Sequence, residues 1–372
     1  METVKILHCS DIHIGAEESF LGVRAESRRR ETLLTFERVV DLCLEKDVKV
    51  LLIAGDLFNS NNIENSFFED VLRKIKLANG LKVIFAAGNH DPLTPRSPFT
   101  RENLPENLYV LGNEETVFSF PELNLRVYGR SFETAFMQGK SSPALMPEND
   151  DVINISVLHG ELTSDLSSRY NAITREYIEN SKMDYIALGH VHKRSKVEKI
   201  GDTYFAYSGC PEGQGFDELG EKGVYVGEIG KGICNLEFVE TAKRQHITEK
   251  IDITDKEISD TFILEFLKEK YGENYCENLY KIELMGETDD NSQIDISDLT
   301  ARLSEKLYFV KLRDKTQIKI DLEALSKEKT LKGIFVKKML EKIESCEEKQ
   351  KYETALKLGL KAFEGEVKFD EN

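Results

Sequence analysis

The chain has no apolar run of about 18 or more residues, so no segment can cross a bilayer as a helix. Its six cysteines, Cys9, Cys43, Cys210, Cys234, Cys276 and Cys346, are scattered and form no CxxC pair. That spacing excludes a zinc ribbon and a disulfide framework and fits reduced thiols. The start METVKILHCSDIH has neither an apolar h-region nor a small-residue cleavage site, so no secretory signal and a cytoplasmic location are expected. Basic residues are in the minority, 50 against 67 acidic, for a formal net charge of −17. Such a balance is not the usual footprint of a nucleic-acid binder. It is uneven, however: residues 251–300 hold 4 Lys and Arg against 14 Asp and Glu, and residues 301–350 hold 13 against 9. There is no internal repeat and no low-complexity tract.

A length of 372 residues suggests roughly two or three domains. Over the first 240 residues, short runs rich in Val, Ile, Leu and Phe alternate with amphipathic stretches, the pattern of layered sheets with flanking helices. Strands are expected at 4–9, 48–54, 81–87, 124–129, 153–158, 185–188, 203–207, 223–228 and 234–238, and helices at 25–45 and 64–78. Four prolines between Pro92 and Pro105 mark a loop, and a second loop is expected at 138–151. After about residue 245 glycine becomes scarcer, and strand-like and helix-like segments alternate as in a small α+β unit. Apolar residues from Leu322 to Phe363 then recur at helical spacing, as in a hairpin with one apolar stripe per arm. The expected domains are 1–245, 246–318 and 319–372.

The chemistry is carried by short polar clusters, each directly after an expected strand: Asp11-Ile12-His13, Gly55-Asp56, Gly88-Asn89-His90-Asp91, His159-Gly160 and Gly189-His190-Val191-His192. Loops at the carboxyl ends of strands are where layered α/β proteins bind ligands, so these distant segments can converge. Asp11, His13, Asp56, Asn89, His159, His190 and His192 offer oxygen and imidazole nitrogen without thiolate, a set suited to Mn²⁺, Fe or Zn²⁺. Seven donors are too many for one ion, whereas two divalent ions sharing a carboxylate would use them all. Singly, Asp11 with His13 reads equally as a turn residue beside a surface imidazole, and Gly55-Asp56 as a plain turn. It is the ordered recurrence after successive strands that points to a site.

The order D-x-H, G-D, G-N-H-D, H-G, G-H-x-H resembles the calcineurin-like metallophosphoesterases. More narrowly, ILHCSDIHIG, AGDLFNS, AAGNHD and ALGHVH resemble the SbcD-type DNA repair exonucleases, and YSGCPEGQGFDELGEKGV at 207–224 resembles their YhaO branch. The resemblance covers residues 1–240. It implies a four-layer αββα sandwich, a small α+β cap and C-terminal helices that engage the coiled coil of an SbcC-like, SMC-type ATPase. It also implies that Asp11, His13 and His192 hold one metal and Asn89, His159 and His190 the other, with Asp56 bridging and Mn²⁺ as the leading candidate. His90 takes the position of a catalytic histidine that binds no metal and steers or protonates the leaving group, while His8 is expected to support the structure. Where the DNA repair members often carry a second catalytic histidine this chain has Asn59, which leaves exonuclease and endonuclease action both open.

The reaction implied is hydrolysis of a DNA phosphodiester by a hydroxide held between two metals. Two other readings remain at this point: a metallophosphoesterase for a small substrate such as a cyclic nucleotide or phosphomonoester, and a scaffold for an ATPase with a vestigial centre. Arg24, Arg28, Arg29 and Arg30 are candidates for phosphate contact. Ile63, Phe67, Phe68, Val71, Leu72 and Ile75 form a stripe that serves either a homodimer, as the resemblance implies, or the chain's own sheet.

Overall fold

A computed structural model describes residues 2–101, 103–140, 147, 151–288, 294–346 and 348–363. The chain forms two compact units, Met1–Glu249 with Leu264–Ile282 and Thr300–Lys311, and Lys250–Ile263 with Glu283–Leu299 and Leu312–Asn372. The first elements are β1 (Thr3–Cys9), α1 (Ala25–Glu45), β2 (Val50–Ala54), α2 (Asn65–Leu77), β3 (Lys82–Ala86), β4 (Leu108–Val110), β5 (Thr116–Phe120) and β6 (Leu125–Gly129). There follow β7 (Met137–Lys140), β8 (Ile153–His159), β9 (Glu161–Leu162), β10 (Tyr170–Ile173) and α3 (Arg175–Asn180). The sandwich closes with β11 (Tyr185–Gly189), β12 (Glu198–Ile200), β13 (Thr203–Tyr207), β14 (Gly223–Gly230) and β15 (Ile233–Glu240).

Two six-stranded sheets result, of order β15-β14-β1-β2-β3-β4 and β12-β13-β11-β8-β6-β5. In the first, β1 to β4 are parallel and β14 joins β1 antiparallel; in the second, β6, β8, β11 and β13 are parallel. The run VLLIA of β2 is apolar throughout because both of its faces are covered. Val50, Leu52 and Ala54 point into a core shared with Ile155, Val157 and Ala187 of the second sheet. Leu51 and Ile53 point the other way, into a core with α1 and α2. Phe36, Val39, Val40 and Cys43, at helical spacing, form the buried stripe of α1. On the outer side of the second sheet, Tyr177 and Ile178 of α3 pack with Ile186, Leu188 and Phe205. The layers therefore run helix, sheet, sheet, helix.

The structure decides between two readings of one stripe and corrects one expectation. Phe67, Phe68, Val71 and Ile75 of the α2 stripe are buried in the chain's own core, so the stripe that suggested a homodimer is used on the sheet. The proline loop also does more than connect: Ser97 caps a short 3₁₀ turn at Pro98–Thr100, and buried Phe99 packs its ring 4.6 Å from that of Phe85. The loop expected at 138–151 begins within β7 and otherwise lies mostly outside the described residues.

The later elements are β16 (His246–Asp252), α4 (Asp260–Tyr271), β17 (Leu279–Met285), β18 (Glu287–Thr288), α5 (Ile296–Ser304), β19 (Phe309–Asp314) and β20 (Gln317–Ile318). β16, β17 and β19 form a three-stranded sheet with β17 in the centre. The chain continues through α6 (Leu322–Ser326), α7 (Leu331–Ser345) and α8 (Lys349–Phe363). Thr330 caps α7 by accepting the Gly333 N–H at 3.0 Å, and Val336, Leu356 and Leu360 form the small core of the hairpin. Among the described residues no helix is long and apolar enough to cross a membrane.

Candidate metal centre

Parallel strand order brings the loops after β1, β2, β3, β8 and β11 to one end of the two sheets. The loop after β1 is stitched to the loop after β2 by Asp11 N to Gly55 O at 3.0 Å, His13 N to Asp56 O at 3.0 Å and Ile14 N to Leu57 O at 2.9 Å. Gly189 and His159 are register partners on β11 and β8. All seven candidate ligands meet there. Asp11, His13, Asp56 and His159 are buried, Asn89, His190 and His192 are half-buried, and His90 is exposed.

The side chains fall into two groups. His13 Nε2 lies 3.2 Å from His192 Nε2, which is 3.8 Å from Asp11 Oδ1. Asn89 Oδ1 lies 3.0 Å from His159 Nε2 and 3.1 Å from His190 Nδ1. Between the groups sits Asp56 Oδ2, 3.6 Å from His13 Nε2 and 3.4 Å from His159 Nε2. One carboxylate oxygen thus faces both groups.

The backbone bends hard to achieve this. Asp11, His13, Asp56 and His190 have φ values of 54, 50, 51 and 96°, in the left-handed region that side chains disfavour. Strain of this kind persists only where the surroundings enforce it, and it gathers at functional sites. Here the enforcing bonds are visible. The His190 N–H donates to Asp11 Oδ1 at 3.0 Å, and the His90 N–H donates to Asp56 Oδ1 at 2.9 Å. Gly88 makes the second bond feasible, since a Cβ there would lie 2.2 Å from Asp56 Oδ1. Asp91, buried beneath, accepts from Gly88 N and Phe58 N at 2.8 and 3.0 Å and ties the loops after β2 and β3 together. Burial, reinforced by nearby Asp56, pushes its carboxyl up to about 7.

Charge is unbalanced in a telling way. Burial raises the Asp11 carboxyl, against the pull of His159 and His192. For Asp56, burial is outweighed by His159, and the carboxyl stays below its ordinary range. His159 is correspondingly pushed up to about 9, as the attraction of Asp56 overcomes burial, whereas burial brings His13 and His190 down to about 4. Among the described residues no Lys or Arg pairs with Asp11 or Asp56, so these two buried carboxylates have only imidazoles as cationic partners. A buried carboxylate needs compensating charge, and an oxygen and imidazole donor set fits divalent cations. His159 is already arranged for that purpose: its Nδ1 is 2.9 Å from the Ala54 carbonyl, and its Nε2 faces Asn89 and Asp56. The chain therefore carries candidate His and Asp metal-binding clusters.

His90 stands apart from the seven in burial and in hydrogen bonding. Its Nδ1 lies 3.2 Å from the Asn59 carbonyl, and its ring meets that of His13 edge-on at 4.7 Å. His8 is fully buried on β1, with Nδ1 2.8 Å from the Tyr185 hydroxyl and Nε2 3.2 Å from Leu188 O. The arginines expected to face phosphate are engaged by the chain itself. Arg28 is buried against Glu18, Glu31 and Glu212, Arg29 pairs with Glu64, Arg30 with Glu26, and Arg24 donates to the carbonyls of Ser304 and Leu307. Sequence reasoning missed Glu218, whose carboxylate Oε1 accepts from His192 Nδ1. The only signal for it was its place in the 207–224 stretch, where nothing local separates it from other acidic residues.

Known proteins are similar to this chain in sequence. The chain is 26% identical over 267 residues to "Uncharacterized metallophosphoesterase YhaO" of Bacillus subtilis, covering 67% of this chain and 63% of that protein. It is 26% identical over 261 residues to "DNA double-strand break repair protein Mre11" of Methanopyrus kandleri, covering 64% and 57%. Against the Mre11 protein of Saccharolobus solfataricus it is 22% identical over 360 residues, covering 87% and 90%. The chain thus spans 63% and 57% of the length of the first two. Residues 4–194, which include all seven candidate ligands and His90, match the calcineurin-like phosphoesterase model, and the chain belongs to that family.

Proposed function

We propose that the chain is a metal-dependent phosphodiesterase that cleaves DNA. The observation that carries the centre is Asp56 Oδ2 standing 3.6 Å from His13 Nε2 and 3.4 Å from His159 Nε2, between two sets of donors. In this reading Asp11, His13 and His192 hold one divalent cation, Asn89, His159 and His190 hold the other, and Asp56 serves both. When bound, such a pair supplies Lewis-acid charge to the phosphoryl oxygens and lowers the pKa of a water toward about 7. Mn²⁺ is the proposed native metal.

The protein's own groups do the rest. Asp11 and Asp56 are locked by backbone donors from His190 and His90, so neither carboxylate reorganises as charge develops. Doubly protonated, His90 donates its Nδ1–H to the Asn59 carbonyl and gives the second proton, on Nε2, to the departing sugar oxygen, which leaves the ring neutral. Asn59 sends only its backbone oxygen to that ring, so one imidazole carries the acid role. DNA as substrate is supported by the relatives named for double-strand break repair. The domain frame that goes with it is 1–245 for catalysis, 246–318 as a cap and 319–372 as a docking element for the coiled coil of an SMC-type ATPase. Leu331, Ile334 and Leu358 are 74, 50 and 56% exposed on α7 and α8 and supply the apolar surface for that contact.

End-labelled single-stranded, blunt and hairpin DNAs, with Mn²⁺, Mg²⁺ or chelator, test the reading beside a chromogenic diester and a phosphomonoester. Mn²⁺-dependent cleavage of DNA and diester is expected. Turnover of the monoester with all DNAs left intact would overturn DNA as the substrate.

A further inference from the structure

The loop between β13 and β14 holds a carboxylate behind one of the clustered imidazoles. Glu218 Oε1 accepts from His192 Nδ1, and its Oε2 accepts from Gln214 N at 2.8 Å. The side chain is only 12% exposed. On the far side of the same ring, Nε2 faces Asp11 and His13. A neutral imidazole has one proton for two nitrogens, so a carboxylate that takes the Nδ1–H leaves the lone pair on Nε2.

The loop is anchored from both ends. Glu212, fully buried, accepts from Arg28 Nη1 at 2.7 Å, Thr35 Oγ1 at 2.8 Å and Lys243 N at 2.9 Å. Lys222 accepts the Thr241 N–H at 3.1 Å on its own carbonyl and reaches the His192 carbonyl with Nζ at 3.3 Å. The buried charge network on α1 therefore ends, through this loop, on the ring of His192. Cys210 Sγ also lies close, 3.4 Å from Glu218 Oε2 and 3.5 Å from His192 O, but both neighbours are acceptors, so the thiol is a donor here and not a ligand.

We propose that Glu218 is a positioning residue: it sets the tautomer and orientation of His192 and raises the affinity of the Asp11, His13 and His192 group for its cation. This rests on the two-cation reading above. The two groups are then unequal by construction, because the corresponding backing of His159 is the neutral carbonyl of Ala54, whereas His192 is backed by a charge. Removing a partner of this kind typically costs about 10- to 100-fold in metal affinity.

The test is titration of the metal-free full chain with Mn²⁺, counting bound ions and measuring each affinity, alongside thermal unfolding of the metal-free proteins. Wild type is expected to take up two ions. Glu218→Ala should weaken one of them by about 10- to 100-fold and leave the other and the metal-free unfolding midpoint unchanged. Glu218→Gln keeps an oxygen acceptor in place and should lose less. Glu218→Asp keeps the charge but withdraws it by one methylene, and should resemble the alanine variant while folding as wild type does. Equal affinities in wild type and all three variants would overturn the inference alone. So would a matched loss of both ions together with a lowered metal-free midpoint, which would make Glu218 a prop of the fold. A wild type that takes up no second ion would overturn the two-cation reading and the inference with it.

Discussion

Around Asp56, four side chains stand on backbone of positive φ, two carboxylates are buried with imidazoles rather than Lys or Arg beside them, and the contacts join residues as far apart as Asp11 and His190. In the hairpin of α7 and α8 the contacts are between near neighbours in the chain, the buried core is Val336, Leu356 and Leu360, and Leu331 and Leu358 face outward. The first region is polar, strained and held from many sides, while the second is apolar, regular and lightly held. The difference predicts where a change is absorbed. A rigid cluster passes a displacement directly to its chemistry, whereas a loosely packed helix pair gives way locally.

The largest expected effect is at the oxygen between the two groups. Asp56→Asn removes a charge that both groups share, and should disturb both ions and lower diester turnover by about 10³-fold or more, equivalent to roughly 4 kcal/mol. Metal counting beside initial rates checks this, and an Asp56→Asn variant with two tightly held ions would break the comparison at its centre. His90→Ala should come next, with a loss of about 10²- to 10⁴-fold in turnover and metal content unchanged. Near-normal DNA cleavage by that variant would remove His90 from the acid role.

Two glycines sharpen the comparison because each would receive the same insult. A Cβ at Gly88 would stand 2.2 Å from Asp56 Oδ1 and 2.7 Å from Asp56 N, and a Cβ at Gly359 would stand 2.2 Å from Cζ of Phe335. The first obstacle is a fixed carboxylate with its own backbone; the second is the far end of a ring that can swing aside. Gly88→Ala should therefore cost about 10-fold or more in metal affinity, and Gly359→Ala should leave cleavage of the small diester unchanged. Parallel metal titrations and rates of the two variants decide it, and equal activity losses would show that the hairpin is no more tolerant than the centre.

An effect on stability rather than on activity concerns the buried His8. Burial brings His8 down to about 3, with its bond to Leu188 opposing, so the folded chain keeps this ring neutral where the unfolded chain protonates it. Its folded pKa is depressed, so its stabilising share is full above about pH 6.5 and is lost as pH falls toward 3, at up to about 1.4 kcal/mol per pH unit. Urea midpoints at pH 7 and pH 5 for wild type and His8→Gln isolate that share. The wild type should lose stability by about 2 kcal/mol more than the variant over this interval.

Much of this protein is written locally. The apolar runs of β2, β3 and β8 and the spacing of Phe36, Val39, Val40 and Cys43 mark strands and a helix because each element buries its own periodic face. The polar clusters after successive strands nominate all seven side chains that the structure brings together, since parallel strands deliver their loops to the same end of a sheet. Short or edge elements such as β4, β12 and α3 were not legible, because a few residues carry too little pattern to stand out.

Tertiary structure alone decided which partner each polar side chain took. Arg28 looks as free in sequence as Arg30, yet it is buried among three glutamates, and Glu218 looks no different from Glu221 until the loop delivers it to His192. Phe335 and Met339, on the apolar stripe that helical spacing marks, pack within the hairpin, and Ile334 beside them faces outward. The reason is physical. Periodicity reports that a face is buried, but an ion pair or hydrogen bond forms only where the fold brings two groups within about 3 Å, and that distance is set by strand register and loop path between residues far apart in the chain.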